Sequence, residues 1–161
     1  MQLYVLDYEP KKAVEYLADC HVIKMCLETA QILSSVRHNK GMLHISGCPK
    51  PYNPKHPVIV AVNSFKKANW LLEYNKAIQD EYFYRFGKKH AYFDLIYVYD
   101  DLKNRCIWNN YNENLDFARD FKDFQTNNQD LVGAFRDYYQ FKKSIIKRWK
   151  YSKRNEPEWL M

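Results

Sequence analysis

Residues 10–37, PKKAVEYLADCHVIKMCLETAQILSSVR, carry the reading on which the fold turns. At 100° per residue His21, Lys24, Glu28, Gln31 and Ser35 fall within one arc of a helix, while Val22, Ile23, Cys26, Leu27, Ala30 and Leu33 occupy the other side. The spacing predicts one long amphipathic helix. Pro10 suits its first turn, where a missing N–H costs nothing, and its end is expected near Arg37. The polar stripe puts a base, an amine and a carboxylate on one face. Lys24 and Glu28 lie one turn apart, and His21 lies a turn further toward the N-terminus. Spacing alone favours a solvated face with an ion pair.

Outward from this helix the pattern stays helical. A short extended start is expected over residues 2–6. Residues 38–57 turn loop-like, with Gly41, Gly47, Pro49, Pro51, Pro54 and Pro57 crowded together. An aperiodic stretch of that length is more often a functional loop than filler. Pro57 starts the next helical region, Ser64 is a candidate N-cap, and a helix through Leu71, Leu72 and Ile78 stops at Gly87. Residues 91–108 are assigned to a further helix, residues 115–124 to a short one, and residues 129–151 to the last, before Pro157. The fold class is all-α: a compact single-domain helical bundle over residues 1–161 with a long Pro-rich loop.

Composition agrees with that class. With 161 residues, 47% hydrophobic and 27% charged, the chain suits one globular domain whose core needs neither disulfide nor metal. Fourteen Tyr, 9 Phe and 4 Trp supply large side chains for core and contact surfaces. Cys20, Cys26, Cys48 and Cys106 show no paired spacing, and a reduced protein is the simplest account. His21, His38, His44, His56 and His90 do not fall into a tight metal spacing; a zinc site assembled from His38, His44, Cys48 and His56 is the minor alternative, and neither metal nor cofactor is expected. No apolar run approaches the roughly 20 residues of a membrane span, and MQLYVLDYEP lacks the layout of a secretory signal. The expected location is the cytosol, with no membrane partner.

Charge is concentrated at one end. Lys142, Lys143, Lys147, Arg148, Lys150, Lys153 and Arg154 form an acid-free run, leaving 18 basic against 19 acidic residues elsewhere. Trp149 and Tyr151 interleave with these charges. That combination suits phosphate neutralisation with stacking on exposed bases, and the competing reading is a solvated helix whose aromatics point inward. A neutral body with one basic segment favours nucleic-acid contact.

The segment LADCHVIKMCLETAQILSSVR resembles the active-site helix of the phage pyrimidine-dimer DNA glycosylase family, endonuclease V. There a Leu-Ala-Asp-x-His start is followed, seven residues after the His, by the catalytic glutamate, which corresponds to Glu28. MQLYVL is similar to the opening of bacterial relatives, and YNPKHP, residues 52–57, to their Y-K-N-H-P segment. More of the chain, including HPVIVAV, EYFYRFGKKH and the ending FRDYY…WK…PEW, resembles a broad group of small phage proteins.

The resemblance implies a helical, metal-independent enzyme acting on duplex DNA that is damaged or abasic. An amine attacks the anomeric carbon of a deoxyribose, and elimination from the resulting Schiff base breaks the strand. Glu28 stabilises the cationic sugar and assists proton transfer, and His21 lies near the DNA. The family's nucleophile is the α-amine of a small residue exposed by removal of Met, whereas Gln2 is large and Met1 is expected to stay. Two amines stay open: that of Met1, if the extended segment folds back, and Lys24. Leu27 and Gln31 stand where the family has arginines. The family's grip on DNA therefore does not carry over to that helix, and the expected DNA contacts are His21 and Gln31 with, from the basic-aromatic tail, Lys147, Arg148, Trp149, Lys150, Tyr151, Lys153 and Arg154.

Two function classes follow. One is a glycosylase with lyase activity, or a nicking activity that follows a separate DNA glycosylase. The other is a DNA-binding or protein-binding accessory factor that kept the scaffold and lost the amine. Nucleotide or base modification is a weaker third class, since no Gly-rich phosphate loop is present.

Overall fold

The computed structural model describes residues 1–104, 108 and 114–160. Among the described residues six α-helices and no strand are found: α1 (Pro10–Glu15), α2 (Asp19–Asn39), α3 (Pro57–Val60), α4 (Phe65–Phe86), α5 (Asp101–Asn104) and α6 (Leu131–Ile145). The all-α expectation holds. No helix there is long and apolar enough to cross a membrane. Cys106 lies outside the described residues.

The two long helices, α2 and α4, pack on each other, with α1 against α4 and α3 against α2. Ser64 caps α4 by accepting from the Lys67 N–H at 3.4 Å, and Gly87 ends it at φ 69°, a left-handed conformation that suits a residue without Cβ. The extended start, Leu3 to Leu6, is fully buried between α2 and α6. Tyr4 packs on His21 and edge-on against Tyr139, the three rings forming one cluster, and Arg136 donates to the Leu6 carbonyl at 2.9 Å.

Four expectations are corrected. The helix at 10–37 is two helices, because Ala18 is extended (φ −66°, ψ 155°). Tertiary partners capture the groups a continuous helix would use. Arg85 donates to the carbonyls of Glu15 (3.0 Å) and Leu17 (2.7 Å), and the Ala18 N–H goes to the Tyr139 hydroxyl at 2.7 Å. Residues 91–104 form two single 3₁₀ turns followed by α5, not one helix. They are pinned by ion pairs from Asp100 to Lys76 and from Asp101 to Arg37, and by a 3.0 Å hydrogen bond between the Tyr99 and Ser34 hydroxyls.

No helix forms over residues 115–124, whose aromatics face different neighbours. Phe117 enters the core against Trp70, whereas Phe121 stacks on Tyr138. The last helix ends at Ile145 instead of running to 151. Ile146 is extended (φ −95°, ψ 114°), and the basic segment then crosses the start of α2, where the Asp19 N–H donates to the Lys150 carbonyl at 2.8 Å.

Candidate active site

α2 is buried nearly all round. His21 and Ser35, expected on the polar stripe, are inside, and Ile23 and Leu27, expected inside, are 49% and 41% exposed. The cause is what lies on the helix: the N-terminal segment and the tail cover the His21 end, and the Pro-rich loop covers the Ser35 end. Between those covers a solvent-facing window remains, holding Lys24, Glu28 and the half-buried Gln31.

Glu28 sits in that window with two partners. The Lys24 ammonium lies 3.3 Å from Oε1, and the backbone N–H of Gln2 donates to Oε2 at 3.3 Å. The carboxylate side chain is 13% exposed and the lysine 52%, so the pair is open from the lysine side only. The extended start runs along α2 from Glu28, touched by Gln2, to His21, touched by Tyr4. Its first residue, half-buried Met1, is therefore at the Glu28 end.

Two buried phenols lie close enough to Glu28 to feel its charge. Burial, with the charge of Glu28 among the lesser causes, raises both Tyr4 and Tyr74 above the ordinary phenol value, so both hydroxyls stay protonated. Tyr74 has an unpaired buried hydroxyl. Burial also pushes the Cys26 thiol up to about 12, which leaves it unreactive.

His21, expected near the DNA, is placed in the core. It is 4% exposed, with the Tyr4 hydroxyl 3.3 Å from Nε2, the Tyr139 hydroxyl 2.8 Å from Nδ1, and the Trp149 ring 5.3 Å away. Burial, together with Lys24 and Lys142, pushes its pKa down to about 3, so the ring is neutral. A neutral imidazole has one donor and one acceptor, and both nitrogens are engaged.

The tail divides into an inner and an outer set. Trp149 packs on His21 and Tyr139, the Tyr151 hydroxyl donates to the Tyr16 carbonyl at 3.1 Å, and Arg154 pairs with Glu81 (2.8 Å) and Glu15 (3.2 Å). These three are used internally, because they anchor the segment that carries them. Lys153, though exposed, donates to the Tyr84 carbonyl at 2.8 Å. Lys147, Arg148 and Lys150 are exposed, with no acidic partner among the described residues. The inward-aromatic reading of this segment thus applies to Trp149 and Tyr151, and the charged-surface reading to the three cations.

Several features were missed in the sequence. The Gln2 amide on Glu28 has no side-chain signature at all. Arg85, whose side chain is fully buried, carries no mark beyond its spacing of four from Glu81. Ser35 was legible as a stripe residue, but its use was not: its hydroxyl accepts from the Tyr52 N–H at 2.9 Å and donates to the Gln31 carbonyl at 2.8 Å. Among the described residues no group of three or more His, Cys, Asp or Glu is placed to hold a metal ion.

A half-buried carboxylate next to an amine and to the first residues of the chain can stabilise a cationic sugar and relay a proton. A family model described as pyrimidine dimer DNA glycosylase matches residues 1–94. That span runs from Met1 through α4 and includes Lys24, Glu28, Gln31 and the Pro-rich loop, but stops short of α6 and the tail. No curated protein and no solved structure matches the chain.

Proposed function

Because the chain belongs to the pyrimidine dimer DNA glycosylase family, we propose that it removes a damaged base from duplex DNA and nicks the resulting abasic site by amine chemistry at Glu28. The amine adds to the anomeric carbon of the deoxyribose as the base departs. Loss of the amine proton and opening of the sugar give a Schiff base. Removal of a proton from the neighbouring carbon then expels the 3′ phosphate and breaks the strand. Glu28 balances the cationic sugar and carries protons between these steps.

The observation that carries this reading is the N-terminal segment lying on α2 with the Gln2 amide on Glu28. Two amines are candidates beside this carboxylate: Nζ of Lys24, 3.3 Å from it on the same helix, and the α-amine of Met1, one residue before the Gln2 contact. The family resemblance points to a chain-terminal α-amine as the nucleophile, so we assign the attack to that of Met1, with Lys24 as the neighbouring cation that faces phosphate. Gln31 and the exposed Lys147, Arg148 and Lys150 supply further DNA contacts, and no cofactor is required. If the chain acts only on abasic sugars, a separate glycosylase must remove the base first.

The test is incubation with abasic, dimer-containing, uracil-containing and undamaged duplexes, with and without borohydride, beside Glu28→Gln. Cleavage and a trapped adduct, both lost in the variant, establish the reaction, and peptide mapping of the adduct identifies the amine. Binding without cleavage or adduct establishes the accessory-factor reading instead.

A further inference from the structure

The Pro-rich loop is docked on the same face of α2 that carries Glu28. Seven residues after Glu28, nearly two full turns, Ser35 points in almost the same direction. It is completely buried and holds Tyr52 by the backbone. Asn39, one turn on, donates to the Pro54 carbonyl at 2.8 Å, and His56 lies 3.4 Å from Asp120. Prolines at 51, 54 and 57 fix the intervening φ angles, and Asn53 takes the left-handed turn at φ 43°.

This immobilised loop displays its side chains outward. Tyr52 is 55% exposed although its backbone is anchored, and Lys50 and Lys55 on either side are exposed with no acidic partner among the described residues. An aromatic ring in solvent is not core material, and a loop held at three points is not a flexible connector. The arrangement is a rigid basic-aromatic surface.

Its position mirrors the tail. Seven residues before Glu28, on the same face, His21 is covered by Trp149, from which Lys147, Arg148 and Lys150 project. Glu28 therefore lies midway between two basic-aromatic elements anchored about 21 Å apart along the helix, close to six phosphate spacings of a B-form strand. A linear polyanion laid across Glu28 meets positive charge on both sides.

We infer that the loop carrying Lys50, Tyr52 and Lys55 is a second nucleic-acid contact surface, in which the two lysines neutralise phosphates and the Tyr52 ring stacks on a base displaced from the helix at the lesion. This rests on the glycosylase reading above and deepens it. The stacking ring is preorganised, since the cost of ordering the loop is met within the folded protein.

The experiment is equilibrium binding to a duplex bearing one tetrahydrofuran abasic analogue, which has no aldehyde for an amine to trap, over a salt series. The proteins are the wild type, Lys50→Gln/Lys55→Gln, Tyr52→Ala and Tyr52→Phe. Losing two phosphate contacts should lower the magnitude of the slope of log K against log salt by about 1.8. Tyr52→Ala should weaken binding at least about five-fold, the lower end for loss of one base stack, and Tyr52→Phe should restore it. An unchanged slope in the lysine variant, or wild-type affinity in Tyr52→Ala, overturns the inference even when the wild type cleaves DNA. A wild type that neither binds nor cleaves any duplex removes the glycosylase reading as well, so the two failures are distinguishable.

Discussion

Two ion pairs in this molecule have the same sequence spacing and opposite fates. Glu81 and Arg85, four apart on α4, are 5% and 0% exposed; Lys24 and Glu28, four apart on α2, are 52% and 13% exposed. Glu81 accepts three charge-assisted bonds, from Arg85 at 2.6 Å and from both Nε and Nη2 of Arg154. Arg85 also holds Asp19 at 3.1 Å, and Asp19 accepts the backbone N–H and the hydroxyl of Ser152. The α4 pair is thus the knot that ties the C-terminal segment to the start of α2. Glu28 has one exposed lysine and one backbone N–H, which leaves it acceptor capacity. A carboxylate held by two guanidinium groups and closed off from solvent holds a fold, and one that is partly open with a single cation beside it can meet a substrate.

Exchanging the charge at each pair breaks this contrast most directly. Glu28→Gln should lower single-turnover strand cleavage by roughly 10²–10⁴-fold, the usual contribution of a positioned acid or base, while its melting temperature stays near that of the wild type. Glu81→Gln should do the reverse to stability. It leaves the guanidinium of Arg85 buried and short of charge, at a cost of roughly 3–5 kcal/mol, which at this chain length is a fall of about 10 °C by calorimetry.

Acid should separate the buried groups by pH window. Burial raises Glu81 and Asp19, but hydrogen bonds from Arg154 and Arg85 to Glu81, and from Ser152 and Arg85 to Asp19, outweigh it and hold both below the ordinary carboxyl range. Their folded-state values are depressed, so their stabilisation is present above about pH 4 and lost as pH falls through the folded values. His21 acts in a higher window. Between its ordinary 6.5 and about 3 the unfolded chain binds a proton that the folded chain refuses. Stability should therefore fall by about 1.4 kcal/mol per pH unit on acidification below 6.5. Urea midpoints at pH 7 and pH 5 should converge in His21→Gln, each referred to its own value at pH 7.

The smallest effects are expected on the surface. Neutralising Lys147, Arg148 and Lys150 should leave the unfolding free energy from urea titration within a few tenths of a kcal/mol and flatten the salt dependence of DNA binding. Lys24→Gln should likewise change stability by only a few tenths of a kcal/mol. The borohydride-trapped adduct should persist in that variant, and its disappearance would move the nucleophile from Met1 to Lys24.

Legibility in the sequence followed how local the deciding interaction is. Ser64 and Gly87 could be read as the ends of α4 because capping is settled within a turn of chain. The pairing of Lys24 with Glu28 was readable for the same reason. The break at Ala18 was not, since Arg85 and Tyr139, which impose it, are 67 and 121 residues away along the chain. The tail was read as a helix running to 151, whereas its backbone answers to Asp19. His21 and Ser35 shared the stripe of Glu28 on the wheel, yet the elements laid over them turned one into a core ring and the other into a loop anchor.

By itself the sequence determined an all-helical chain, a carboxylate and an amine on one helix face, and the motif carrying the family resemblance, because each is set by periodicity or by residues close in the chain. Only the tertiary structure decided which part of that face stays open, which cations of the tail are free to meet phosphate, and that Gln2 lies against Glu28. Those outcomes depend on which distant segment covers each turn of α2, and burial and charge pairing across such distances act on the folded chain alone.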